Sequence, residues 1–240
     1  MTQLIETKNL TKIYQDHDIQ TIGLENINLT INEGEFVAIT GPSGSGKSTL
    51  LQILGCLDRP TGGDYLIEGK SLANYSDNEL AEIRNKKMGF VFQAFNLLPR
   101  LSVLDNVKIP LIYSGIKEPE RSEIAMKMID LVGLSDRSNY KTMKLSGGQK
   151  QRAAIARALV NSPRVIFADE PTGNLDSKSG EVVLDFLQKL NDQGNTIVIV
   201  THESYVAQSA KRIVQVKDGN IVSDELVKER NFVSKNGLIK

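Results

Sequence analysis

Tryptophan is absent from this 240-residue chain, aromatic residues make up 5% of it, and it holds a single cysteine, Cys56. One cysteine forms no intramolecular disulfide, and with no second one beside it a thiolate zinc site is not expected; a reducing compartment is the natural setting. Net charge is lacking too. The 29 Lys plus Arg equal the 29 Asp plus Glu, so no global field draws the chain to nucleic acid or anionic lipid, and any phosphate binding must be local. Nowhere does the sequence run to the roughly 18 consecutive apolar residues of a membrane span, and MTQLIETKNLTKIY holds no apolar stretch of signal-peptide length. A cytoplasmic protein is expected, and any pore it serves must come from another chain.

The composition, 40% hydrophobic and 24% charged, is that of a folded globular protein rather than a disordered or fibrous one, and the length suits one large domain. Period-2 apolar spacing at Ile27, Leu29 and Ile31, followed by Asn32, Glu33 and Gly34, suggests a hairpin-type strand pair before the short run Glu35 to Thr40. Phe36 to Ile39 then enters a glycine-rich turn, and Ser48 to Leu57 reads as a buried helix ending before Asp58, Pro60 and Gly62. Ser76 and Glu79 have capping-box spacing at the start of a helix carrying Leu80 and Ile83. Between Gln93 and Leu145 the periodicity is mostly helical. The continuous apolar runs Val165 to Ala168 and Thr196 to Val200 read as central strands covered on both faces, joined by a helix carrying Val182, Val183, Phe186, Leu187 and Leu190. The expected fold is α/β, with a mostly parallel sheet, an antiparallel β subdomain near the start and an inserted helical subdomain; GPSGSGKS at residues 41 to 48, between a strand and a helix, makes its core that of a P-loop NTPase.

Residues 41 to 48 read GPSGSGKS, a full match to G-x-x-x-x-G-K-[ST] between a predicted strand and a predicted helix. Glycines in such a loop let backbone N–H groups turn inward around phosphates, and the helix start adds positive potential. Lys47 reaches the outer phosphates, and Ser48 can ligate magnesium. Gly41, Pro42, Ser43, Gly44, Ser45, Gly46, Lys47, Ser48 and Thr49 are therefore the candidate nucleotide contacts. In VIFADE, two carboxylates end a buried strand, where α/β sheets present their ligand-facing edge. Asp169 suits the magnesium shell and Glu170 the general base that polarises the attacking water. A second helix start, LSGGQ at 145 to 149, offers Ser146, Gly147, Gly148 and Gln149 to an anion much as the P-loop does.

This combination resembles the ATP-binding cassette (ABC) family over nearly the whole chain, with LSGGQ as the family signature. The resemblance implies one nucleotide-binding domain over residues 1–240, with its helical subdomain at about 94–160. It implies ATP and Mg2+ as cofactors, and two copies joined head to tail around ATP, each signature completing the other's site. Tyr14, an aromatic about 27 residues before Gly41, matches the residue that stacks on adenine. Gln93 matches the glutamine that reaches magnesium or the attacking water, and His202 the histidine that binds the γ-phosphate and orients Glu170. Asp176, in Asn174-Leu175-Asp176, matches the aspartate of the dimer interface, although Gly173-Asn174 departs from the commoner Ser-Ala before the leucine.

ILGCLDRPTGG, FVFQAFNLLPRLSVLDNV and ADEPTGNLD look like the lipoprotein-release and macrolide-export branch of bacterial ABC ATPases. The run Tyr140 to Lys144 departs from that branch, which usually carries a histidine and a proline there. An integral membrane permease is the implied partner, holding the chain peripherally at the inner face of the cell membrane; no nucleic-acid partner is expected. Leu97, Leu98, Pro99 and Leu101 either line a groove for the partner's coupling helix or are buried packing. Two rival readings remain. An ABC-type ATPase acting on DNA or ribosomes is disfavoured by the lack of long coiled coils, a second cassette or zinc cysteines. A non-catalytic regulatory cassette is disfavoured by Glu170 and His202. Cys56 and His17 are expected to be a packing residue and a surface residue.

Overall fold

Two β-sheets organise the chain, whose computed structural model describes residues 2–17 and 19–232. The first is antiparallel throughout, in the order β2-β1-β4-β5, from β1 (Gln3–Asp16), β2 (Ile19–Asn32), β4 (Gly62–Ile67) and β5 (Lys70–Ser71). The strand pair expected before Glu35 is β1 with β2, and the two pair along most of their length. Its connection lies beside His17, which is exposed and has φ 52°. The Asn32–Gly34 turn instead carries the chain across to the second sheet. There Asn32 donates to Glu35 Oε1 at 2.8 Å, and Gly34 adopts φ 75°.

The second sheet has the order β10-β9-β3-β8-β7-β6. Five of its strands run parallel: β3 (Phe36–Thr40), β6 (Met88–Phe92), β7 (Val165–Asp169), β8 (Thr196–Val200) and β9 (Arg212–Lys217). β10 (Asn220–Leu226) returns antiparallel along the edge. The continuous apolar strands follow from burial on both faces. Phe36, Ala38, Ile166, Ala168, Ile197 and Ile199 enter one core, while Val37, Ile39, Val165, Phe167, Val198 and Val200 enter the other. Each fully buried Val, Ile or Phe among them contributes ~1.5–3 kcal/mol of transfer free energy.

The second of those cores is closed by α1 (Lys47–Leu54) and by the antiparallel sheet. α1 is shorter than the sequence suggested. It stops at Gly55, and Cys56 follows with φ 53°, so Cys56 lies past the helix end and not within its apolar face. It is buried all the same, and burial pushes its thiol up to about 12, consistent with packing rather than reactivity. α2 (Asp77–Lys87) has the capping box its sequence announces: Ser76 N–H donates to Glu79 at 2.8 Å, and the Ser76 hydroxyl accepts from the Glu79 N–H at 3.4 Å.

The first core is closed by α3 (Val103–Tyr113), α4 (Glu120–Leu131) and α5 (Gly147–Leu159), a mutually packed helical block inserted between β6 and β7, together with α6 (Ser177–Asp192) and α7 (Ser204–Ala207). The parallel topology places the C-terminal ends of β3, β7 and β8 side by side, and the candidate residues follow those ends.

Candidate nucleotide-binding site

The loop from Gly41 to Gly46 leaves β3 and opens α1. Gly41 has φ 147°, and a β-carbon there would stand 2.0 Å from the Val216 carbonyl of β9. At Gly46, with φ 103°, a β-carbon would stand 2.5 Å from the Gly23 carbonyl. Only glycine fits these two positions, because side chains are excluded both by the left-handed backbone and by the neighbouring strand. Pro42, Ser43, Gly44 and Ser48 are exposed, Ser45 is buried, and Thr49 is half-buried on the first turn of α1. Lys47 is 9% exposed and donates from Nζ to the Pro42 carbonyl at 2.7 Å, folding its ammonium back over the loop.

Tyr14 stands beside that helix start. Its hydroxyl lies 3.3 Å from Thr49 Oγ1 and 3.3 Å from Asp58 Oδ2, its ring packs against Gly23, and the Lys12 ammonium sits 5.0 Å from its centroid. The ring remains partly exposed next to the loop, which is the placement a base-stacking residue needs.

At the ends of β7 and β8 the acids and the histidine meet. Glu170 Oε1 lies 2.7 Å from His202 Nδ1 and accepts the His202 backbone N–H at 3.1 Å; Thr201 Oγ1 lies 3.4 Å from Oε2. The Glu170 carboxylate raises the pKa of the exposed imidazole, first by the hydrogen bond and then by its charge. Asp169 is also raised, by partial burial and by the charge of Glu170, against the opposing pull of Lys47. The Asp169 carboxyl thus feels the opposed charges of Glu170 and Lys47. Glu170 has φ 44° and is held by its N–H to the Val200 carbonyl at 2.9 Å, a strained backbone of the sort found at functional sites.

Gln93 follows β6, and its amide lies against Gly173, where a β-carbon would approach Nε2 to 2.7 Å; Asn174 donates to the Gln93 carbonyl at 3.0 Å. The loop after Glu170 thus meets the loop after β6. Asp176 caps α6, accepting from the Ser179 N–H at 2.9 Å, and the Ser179 hydroxyl hydrogen bond holds its carboxyl below the usual range. Ser146 is the exposed N-cap of α5, with Gln149 completing a reciprocal capping box at 3.0 and 3.3 Å. Gly147 and Gly148 rest on Leu175 and Ser179, with no room for a β-carbon at Gly148, 2.8 Å from Ser179 Oγ.

The two helix starts have separate surroundings. The first is packed by residues 23, 24, 216 and 219, the second by residues 95, 174, 175 and 179. The expected residues accordingly fall into one group at the strand ends and another, Ser146 to Gln149, on the helical block. An apolar groove of about 780 Å³ runs between β6, α2 and α3, lined among others by Met88, Phe90, Phe92, Pro110, Tyr113 and Arg157. Leu97, Leu98, Pro99 and Leu101 do not line it: Leu97 packs on the helical core, while Leu98 is tied through its backbone to Asn106 and Thr142.

Sequence reasoning passed over Gln151, which is fully buried on α5 and donates to the Pro171 carbonyl at 2.7 Å, and Thr201, fully buried beside Glu170. A buried polar side chain on an apolar helix face was the available signal at Gln151.

The ABC transporter family profile matches residues 24–173, more than half of the chain. The uncharacterized ABC transporter ATP-binding protein YknY of Bacillus subtilis is 53% identical over 91% of this chain and 95% of its own length. The macrolide export ATP-binding/permease protein MacB of Bdellovibrio bacteriovorus is 52% identical over 92% of this chain, which spans only 34% of that longer protein. Among solved structures, the dimeric post-hydrolysis ATP-binding cassette MJ0796, bound to ADP and Pi, superposes with a TM-score of 0.86 at 46% identity, covering 94% of this chain and 99% of that one. By family profile, identity and fold alike, the chain belongs to the ABC transporter family.

Proposed function

We propose that this chain is the ATPase subunit of an ABC transporter, in which two copies close head to tail around ATP and hydrolysis drives a separate membrane permease. The observation that carries this reading is the Glu170–His202 pair, 2.7 Å apart at the ends of β7 and β8, of which β8 lies beside β3, the strand that enters the phosphate loop. Glu170 polarises the attacking water, His202 orients it and meets the γ-phosphate, and Lys47 and the loop N–H groups from Gly41 to Thr49 hold the phosphates. Tyr14 stacks on the adenine.

The second helix start is supplied in trans. Ser146, Gly147, Gly148 and Gln149 lie in surroundings of their own, apart from the phosphate loop, and serve the triphosphate of the opposite copy, with Asp176 at the joint. Loss of the γ-phosphate on hydrolysis removes contacts that hold the pair shut.

The donors at the site suit Mg2+. Ser48, Gln93 and Asp169 offer oxygen ligands, and Asp169 is a half-buried carboxylate beside a second negative charge, which a cation would relieve. Among the described residues no group of three or more His, Cys, Asp or Glu forms a metal cage. This agrees with a cation held by one carboxylate, the phosphates and water. Such a cation would neutralise phosphate charge.

The permease contact belongs in the apolar groove beside β6, continuous with Phe92 and the Gln93 loop. The helices from 94 to 160 act as the subdomain that carries that contact to the signature turn. Among the described residues no helix is long and apolar enough to cross a membrane, and the chain is held at the inner face of the cell membrane through its permease. The MacB relatives, named as macrolide export proteins with ATP-binding and permease parts in one protein, support an export-type permease; its kind is that of the branch the sequence resembles, lipoprotein release, macrolide export or antimicrobial-peptide export. The test is sedimentation of Glu170→Gln with saturating ATP and magnesium. An ATP-dependent dimer is expected, and a monomer over a wide range of protein concentration would defeat the head-to-tail site.

A further inference from the structure

Gln151 is fully buried, yet only one of its two polar atoms is used. Nε2 donates to the Pro171 carbonyl at 2.7 Å, and Oε1 has no partner among the described residues. A leucine or methionine would fill the same volume without stranding an oxygen. The amide therefore serves its single bond, and that bond lands next to Glu170.

Glu170 needs holding. Its φ of 44° is a conformation that non-glycine residues adopt only under constraint from their surroundings. Upstream, the constraint is the Glu170 N–H on the Val200 carbonyl at 2.9 Å; across the turn, the Gly173 N–H donates to the Glu170 carbonyl at 3.0 Å. Pro171 has no N–H to give, so its carbonyl is the one backbone group at that residue that can be fixed, and Gln151 fixes it.

The other end of the bond is equally firm. α5 begins at the Ser146 turn, is anchored by Arg152 to the Val132 and Gly133 carbonyls at 2.7 and 3.1 Å, and holds the Phe95 and Asn96 carbonyls of the Gln93 loop through Arg157. A single rod thus carries the signature turn, a grip on the loop after Glu170 and a grip on the loop after Gln93.

We infer that Gln151 is a positioning residue for Glu170, fastening the general base of each copy, through the Pro171 carbonyl, to the helix whose signature turn meets the nucleotide of the opposite copy. This rests on the head-to-tail site proposed above. Displacement of α5 by the opposite nucleotide then displaces the Pro171 carbonyl, and Glu170 reaches its working geometry only when the partner's site is filled.

The test uses the full chain with Gln151→Leu and Gln151→Glu, read by phosphate release, nucleotide titration and ATP-dependent sedimentation. Gln151→Leu is expected to lower kcat about tenfold or more while leaving ATP affinity within about twofold, and to add nothing to the residual rate of Glu170→Gln. In Gln151→Glu the buried carboxyl donates to Pro171 only when protonated, and burial raises its pKa. Its kcat relative to the parent should therefore climb at least about threefold from roughly pH 8 to roughly pH 6. An ionised carboxylate buried here also loosens the packing, so thermal melts at both pH values are run beside the rates. A positioning role lowers kcat with the melting midpoint unchanged, whereas packing lowers both together and would overturn the inference; if the leucine variant fails to fold, the glutamate variant at the lower pH carries the test. An unchanged kcat in Gln151→Leu, an equal loss in the Glu170→Gln background, or a flat pH ratio overturns the inference. If Glu170→Gln itself hydrolyses ATP normally, the fault lies with the proposed general base and not with Gln151.

Discussion

Glu170 holds His202 by two bonds from one oxygen, to the ring Nδ1 at 2.7 Å and to the backbone N–H at 3.1 Å. Because the carboxylate raises the imidazole's pKa above the ordinary 6.5, the folded chain keeps a proton that the unfolded chain releases. The pair's contribution to stability is therefore fully present below the unfolded value and is lost as pH rises through the folded one. An NMR titration of the nucleotide-free chain should place the His202 midpoint above 6.5, and Glu170→Gln should bring it back down. An unmoved midpoint would show that the pair does not persist in solution.

Glu170→Gln keeps the shape of the site and removes its base. Turnover should fall by about 10²–10⁴ while nucleotide titration stays near the parent's, because the phosphate loop and Tyr14 are untouched. Phosphate release at saturating ATP measures it, and a normal rate would remove Glu170 from the chemistry.

Lys47→Ala acts on a different quantity. The Lys47 ammonium, bonded to the Pro42 carbonyl at 2.7 Å in a residue only 9% exposed, is the charge that meets the phosphates. Loss of a charge-assisted hydrogen bond of about 1.5–3 kcal/mol weakens ATP binding roughly 10- to 100-fold. Calorimetric or fluorescence titration reads this directly, and an unchanged affinity would take Lys47 out of the phosphate site.

The elements that were legible in the sequence are those whose cause is local. The turn around Gly41 to Lys47, the capping box of Ser76 and the apolar runs of β7 and β8 each draw their conformation from residues a few positions apart. Contacts between distant segments left no such mark: Gly148 against Ser179 and Gln151 on Pro171 arise only when the helical block docks on the β7 end, and Gln93 against Gly173 only when the loops after β6 and β7 meet. Whether Leu97, Leu98, Pro99 and Leu101 pack or face outward is likewise set by distant contacts: Asn106 and Thr142 tie the Leu98 backbone to the helical block, while the Leu98 and Leu101 side chains stay exposed. One readable signal went unused. Asp218-Gly219 between β9 and β10, with φ values of 47° and 77°, is the two-residue turn that marks a tight hairpin.

Asp169 sets stability against function. Its carboxyl is raised by partial burial and by the neighbouring charge of Glu170, so the folded chain without nucleotide binds this proton more tightly than the unfolded one. Stability attributable to Asp169 therefore falls as pH rises from the unfolded value of 3.8 through the folded one. At neutral pH the ionised group is a net cost, which Asp169→Asn removes. The variant should melt higher in the absence of nucleotide, by about 0.5–1 kcal/mol or roughly 1–4 °C. The same change takes away the carboxylate assigned to Mg2+, so the magnesium concentration needed for half-maximal ATP hydrolysis should rise about tenfold or more, with kcat reduced. Scanning calorimetry and a magnesium titration of phosphate release separate the two effects. A variant that melts lower while keeping the parent's magnesium dependence would mean that Asp169 is a structural acid and that the cation is held elsewhere.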